Sequence, residues 1–259
     1  WPAHGPQWAP SGRGVYAVFS WVQSLRHRDP PTYRLIWGTP MVVALAIAFG
    51  TISFVVYAVS FWTPPYVLRT FYPDPVAPGF YVGTLTGAEE VAMIIGWGAA
   101  FSAAIGVILG GVVADLWRRH DPAGRVFVNM LWKALPAPLL YVMFTTSNLS
   151  TFYLLFPVAH MLSALWVGAA VATLQDLVLP RMRATAGATY ILGTTMVGLA
   201  LGPYFAGKMA DVMQSLSAGI FFLYIVPPLT LTILWLASRR IAELEATKVD
   251  RARAAGEAI

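Results

Sequence analysis

Apolar residues run in long stretches along this chain, interrupted by short polar connections. Six stretches stand out, at 38–62, 90–115, 126–146, 152–178, 186–209 and 218–237. A helix needs about 20 predominantly apolar residues to cross a bilayer, so the pattern predicts six spans. Gly, Pro, Ser and Thr are scattered inside them, as membrane helices tolerate when neighbouring helices satisfy the loosened backbone. Ahead of the first span, GRGVYAVFSWVQSLRHRD places Val15, Val18, Phe19, Val22 and Leu25 at helical spacing, with Arg26 and Arg28 near its end. That spacing predicts a short amphipathic helix lying on the membrane face, the alternative being a linker ordered only locally. The tail RRIAELEATKVDRARAAGEAI mixes both charge signs on good helix formers and reads as a solvated helix fading into disorder, without chemistry of its own. The expected organisation is a linker over 1–37, a transmembrane bundle over 38–237 and a tail over 238–259. The predicted fold class is therefore an all-α membrane protein of six helices.

Composition agrees with the pattern. Of the 259 residues, 58% are apolar and 11% charged, against roughly 25% charged in a soluble domain. A soluble all-α protein would have to hide six nearly uncharged segments in its interior. The ten tryptophans suit a protein anchored at two membrane interfaces. The absence of cysteine excludes disulfides and thiolate metal sites, and no cofactor is predicted. A net charge of +5 invites a nucleic-acid reading, but the arginines are dispersed between apolar runs rather than gathered in a patch. The stretch from Trp1 to Ser11 shows no secretory signal, and the chain reads as part of something longer or as a processed product.

The basic residues then orient the spans. Arg13, Arg26, Arg28 and Arg34 precede the first; Arg118, Arg119 and Arg125 lie between the second and third; Arg181 and Arg183 lie between the fourth and fifth; Arg239, Arg240, Lys248, Arg251 and Arg253 follow the last. All fall on one side of an alternating six-span path, and only Arg69 and Lys208 fall on the other. Positive residues mark the cytoplasmic face, so both ends of the chain are expected there.

Several polar residues are candidates for chemistry. In GVILGGVVADLWRRHDPAGR, Gly106 and Gly110 form a pair that lets another helix approach closely. Asp115 stands where the second span meets the cytoplasmic surface, able to face a neighbouring helix N-terminus. Arg118, Arg119 and Arg125 can hold that aspartate or bind lipid phosphates. Such a cluster is either a breakable cytoplasmic latch or a topology signal. Asp176, at the inner end of the fourth span, is within sequence reach of Arg181 or Arg183 and suggests a second latch. Glu89 and Glu90 sit at the outer mouth of the second span as a wet pair or as a gate. Tyr57, Phe61 and Trp62 share one face of the first span and either line a cavity or pack between helices. Tyr190 and Thr194, one turn apart, can offer hydroxyls to a polar head group. His160 is either a helix–helix hydrogen-bonding group or the best titrating candidate in the bundle. Lys133 lies about eight residues past Arg125, about 12 Å along a helix, and reads either as a substrate contact or as a snorkelling side chain.

Taken with its surroundings, GGVVADLWRRHDPAGR resembles the G-x-x-x-D-(R/K)-x-x-(R/K) loop signature of the major facilitator superfamily, in the weaker form between the eighth and ninth helices. It departs from the signature in having Leu116 after the aspartate. LPRMRATAGATYILGTTMVGLALGPYFAGKMAD resembles the tenth-to-eleventh loop and the eleventh helix of that superfamily. AVSFWTPPYVLRTF resembles the seventh-helix ending of the Spinster branch. The resemblance implies that the six spans are helices seven to twelve, one half of a major facilitator fold, with the amphipathic segment as the linker helix. It further implies an N-terminal six-helix half as partner and alternating access, in a proton-linked carrier of lysolipids or sphingoid-phosphate-like lipids. A major facilitator carrier of a small organic solute or drug fits the same residues. An intramembrane serine protease is disfavoured, because no Gly-x-Ser-x-Gly elbow accompanies His160. The permease subunit of an ATP-driven importer is disfavoured by the short, arginine-rich loops.

Overall fold

The computed structural model describes residues 37–254 and Gly256. Within them, six helices are long and apolar enough to cross a membrane: α1 (Pro40–Phe71), α2 (Gly87–Arg118), α3 (Gly124–Thr145), α4 (Leu149–Asp176), α5 (Arg183–Met213) and α6 (Leu216–Ser238). Two short helices follow, α7 (Ile241–Ala246) and α8 (Lys248–Ala254). The amphipathic segment expected near residues 12–29 lies outside the described residues.

Local chemistry sets the helix ends. Thr86 and Glu89 form a reciprocal capping box at the start of α2, with Thr86 N–H donating to the Glu89 carboxylate at 2.8 Å. Asn148 caps α4 by accepting from Thr151 N–H at 3.2 Å, and Ser215 caps α6 by accepting from Ala218 N–H at 3.3 Å. Gln214 closes α5 in the left-handed conformation, with φ of 52°. The first span was expected to stop at residue 62, before Pro64 and Pro65, yet α1 continues to Phe71. The added turns bury Tyr66 and Val67, and the Tyr66 hydroxyl donates to the Phe144 carbonyl at 2.9 Å. That packing holds a helix that the prolines would otherwise interrupt.

Small residues bring the helices together. Gly106 and Gly110 on α2 press against the Met161 and Leu165 carbonyls of α4, so closely that an added Cβ would collide with backbone. Gly202 on α5 meets the Phe54 carbonyl of α1 in the same way. Two large apolar clusters and two smaller ones fill the interior. One large cluster, around Leu45, Phe49, Trp166 and Tyr190, extends toward the ends of α2 and α4 that carry Arg118 and Asp176; the other, around Tyr66, Phe144, Phe152 and Phe156, lies toward the opposite end. These are called below the charged end and the loop end.

The tail departs from expectation. Ile241 and Ala252 are buried in the first cluster, with Leu244 packed against it. An apolar stripe therefore docks α7 and α8 under the bundle, a pattern the alternating charges masked.

Candidate functional site

At the charged end, one ion-pair network joins four helices. Asp176, in the last turn of α4, accepts from both Arg118 at the end of α2 and Arg125 at the start of α3. Arg125 also donates through Nε and Nη2 to one Asp115 oxygen, at 3.1 and 2.7 Å. Arg118 donates onward to Glu245 of α7 at 2.5 Å. Arg125 and Asp176 each stand at the helix end whose dipole opposes their charge, so pairing them offsets two unfavourable placements at once. Exposure ranks the members: the Asp115 side chain is 61% exposed, whereas those of Arg125 and Asp176 are 16% and 17% exposed. Asp176 is thus the hub and Asp115 its outer spoke.

Two separate clusters were expected here, and the structure joins Asp115 and Asp176 in one network through Arg125. Asp176 pairs with residues 58 and 51 positions away, on α2 and α3. Arg183 is exposed and pairs with no acidic side chain among the described residues; the side chain of Arg181 lies outside them. Arg119 is exposed and stands outside the network. Glu245 carries a contact that the sequence did not suggest. Arg251 of α8 strengthens the docking by donating to Thr39 Oγ1 at 3.1 Å and to the Leu177 and Leu244 carbonyls at 3.1 and 2.6 Å. Burial lowers the Arg251 pKa from its ordinary value.

At the loop end, Glu89 and Glu90 differ sharply. Glu89 is exposed and spent on the capping box. Glu90 is fully buried and accepts from the Tyr72 hydroxyl at 2.5 Å and from Tyr81 and Val82 N–H at 2.9 and 2.7 Å. It is an anchor for the loop between α1 and α2 rather than half of a wet pair, because every polar direction around it is filled by this loop. Burial, reinforced by hydrogen bonds to Glu90 and Tyr153, raises the Tyr72 pKa well above the usual tyrosine range.

The six residues considered for a substrate cavity do not converge. Tyr57 and Phe61 are exposed on the bundle surface. Trp62 turns toward α5 and donates to the Pro203 carbonyl at 2.8 Å. Tyr190 is buried edge-on against Phe49, with ring centroids 5.9 Å apart. Thr194 is buried and donates to the Ile191 carbonyl of its own helix at 3.1 Å. His160 does face an internal cavity between α1, α3, α4 and α6, and its Nδ1 lies 3.0 Å from Ser102 Oγ of α2. Lys133 faces the same cavity. It does not snorkel: the residue is only 8% exposed, because α3 turns that face inward.

No family model matches the chain. Protein spinster homolog 1 of Xenopus tropicalis is 26% identical over 191 residues, which cover 71% of this chain and 35% of that protein. Protein spinster homolog 3 of Homo sapiens is 27% identical over 209 residues, covering 79% and 39% respectively. An MFS-type efflux pump of Mycolicibacterium smegmatis is 24% identical over 207 residues, covering 77% and 44%. A solved bacterial homolog of the human lysosomal transporter Spinster, in an inward-facing and unoccupied conformation, superposes with a TM-score of 0.56 at 20% identity. That match covers 85% of this chain and 50% of the solved one. The chain spans 35–44% of the length of these curated relatives. In sequence the chain is similar to Spinster homologues and to an MFS-type efflux pump, and its six long helices have the fold of half of the solved Spinster homolog.

Proposed function

We propose that this chain is the C-terminal half of a secondary active transporter that works by alternating access against an N-terminal six-helix half. The observation that carries the reading is the fold match, which takes in most of this chain and only half of a solved transporter homolog. The distribution of burial supports a missing neighbour. In their most apolar stretches α2 and α5 are 22% buried within the chain, against 56% for α1. These two helices are tied to the rest through glycine contacts and leave long apolar faces bare, suited to a second bundle or to lipid.

In this reading the network around Asp176 is the cytoplasmic latch. It closes the ends of α2, α3 and α4 in one state and opens in the other, at the modest free energy of partly exposed ion pairs. The basic-residue asymmetry supports a cytoplasmic side for this network and for both ends of the chain. The cargo proposed is a lysolipid or sphingoid-phosphate-like lipid, with transport linked to protons. A solute or drug exporter is the second reading, favoured by the likeness to an efflux pump. Native mass spectrometry of the protein in mild detergent tests the architecture. A single polypeptide near twice the 28.2 kDa of this chain, keeping that mass after denaturation and retaining lysolipid in the native spectrum, is expected. A 28.2 kDa species or a self-dimer without lipid overturns the two-bundle lipid reading.

A further inference from the structure

Inside the bundle, Lys133 lines a cavity with Ser60, Thr63, Trp132, His160 and Trp166. The cavity leaves about 30 Å³ for water-sized occupants, room for one or two waters or a single small ion. Lys133 is more than nine-tenths buried and has no ion pair or hydrogen bond among the described residues. The indole N–H groups of Trp132 and Trp166 are likewise buried without an acceptor. No carboxylate lines the cavity. Three neighbouring groups that can only donate therefore lack acceptors, and one of them is an ammonium held in an apolar interior. Water can satisfy a donor but leaves the charge uncompensated. A negative acceptor satisfies both.

We propose that this cavity is an anion-binding site within the bundle, with Lys133 as its charged ligand and the two indoles as supporting donors. The occupant is one small anionic group, either a monatomic inorganic ion or the acid group of an amphiphile reaching between the helices. The volume is too small for a lipid body and suits one such group. The site lies within a single bundle, between α1, α3, α4 and α6, and it does not depend on the cargo proposed above.

Thermal unfolding of the purified protein in detergent tests the proposal. In one arm, sodium gluconate is replaced by sodium chloride or bromide at constant ionic strength. In the other, a lysophosphatidic acid is compared with a neutral monoacylglycerol of the same acyl chain. A saturable rise in the midpoint of about 5 °C is expected at a hundredfold excess over Kd. A rise with halide assigns the site to an inorganic ion, and a rise with the acidic amphiphile alone assigns it to a lipid acid group. Lys133→Met should abolish either rise, while Lys208→Met, on the exposed surface of α5, should keep it. Lys133→Met replaces an unpaired buried charge with an apolar chain of similar length, so it is expected to fold. An unchanged midpoint in the wild type, or an equal rise in Lys133→Met, overturns the assignment. Neither readout involves transport, so this failure leaves the two-bundle proposal standing, and failure of transport leaves the site standing.

Discussion

Replacing Asp176 by asparagine removes the charge that two arginines share and leaves the shape nearly unchanged. Asp176 and Arg125 are about one-sixth exposed and Arg118 about one-quarter exposed, so solvent screens these pairs only in part. A hydrogen bond to a charged group contributes about 1.5–3 kcal/mol, and asparagine still offers one acceptor oxygen. A loss of about 2 kcal/mol in the closed arrangement follows, which shifts a closed-to-open equilibrium about thirtyfold. Asp115→Asn acts on a side chain that is 61% exposed. Its effect should stay near 0.5 kcal/mol, about twofold, as for other surface pairs. The chain has no cysteine, so one engineered thiol reports opening without background. Ala114 suits the probe: it is 1% exposed and packs with Val128 of α3 and Ala169 of α4, so a thiol there is covered while the helix ends are closed. Maleimide labelling of Ala114→Cys should accelerate up to about thirtyfold with Asp176→Asn and about twofold with Asp115→Asn. Equal acceleration by the two substitutions, or a larger effect from Asp115→Asn, would refute Asp176 as the hub.

Other expectations follow from single contacts. Glu90→Gln turns an amide toward the donors that the carboxylate now accepts from; a loss of about 2 kcal/mol should show as a lower unfolding midpoint and faster proteolysis of the loop between α1 and α2. Gly110→Ala places a methyl against the Leu165 carbonyl, and overpacking of about 1–3 kcal/mol should lower the midpoint, whereas Gly111→Ala should leave it nearly unchanged. Arg251→Ala strips three acceptors of their donor, so protease should cut within α7 and α8 faster while the six long helices persist by circular dichroism.

The six spans were legible because apolar length is a local property of the sequence, and α2 through α6 begin and end within about four residues of expectation. The glycine pair at Gly106 and Gly110 was legible too, since small residues at that spacing have one common use in membranes. Partner choice was not. Asp176 looks toward Arg181 and Arg183 in sequence, but the end of α4 is packed beside α2 and α3, and that neighbourhood exists only in three dimensions. Lys133 illustrates the same limit. Its distance from the helix end allowed snorkelling, but rotation of α3 about its axis decides whether the ammonium reaches solvent, and the rotation is set by packing. Glu90 was hidden for a different reason: the residues that bury it, Tyr72 and the backbone at Tyr81 and Val82, belong to a loop whose path no periodicity announces. The tail was misjudged because its charges are conspicuous, while its docking rests on Ile241, Leu244 and Ala252.

The most direct measurement is transbilayer movement of a labelled lysophospholipid in proteoliposomes holding the purified protein, with and without an imposed pH gradient. Movement faster than in protein-free vesicles, accelerated further by the gradient, is the result this account predicts. Movement at the protein-free rate under both conditions would contradict it.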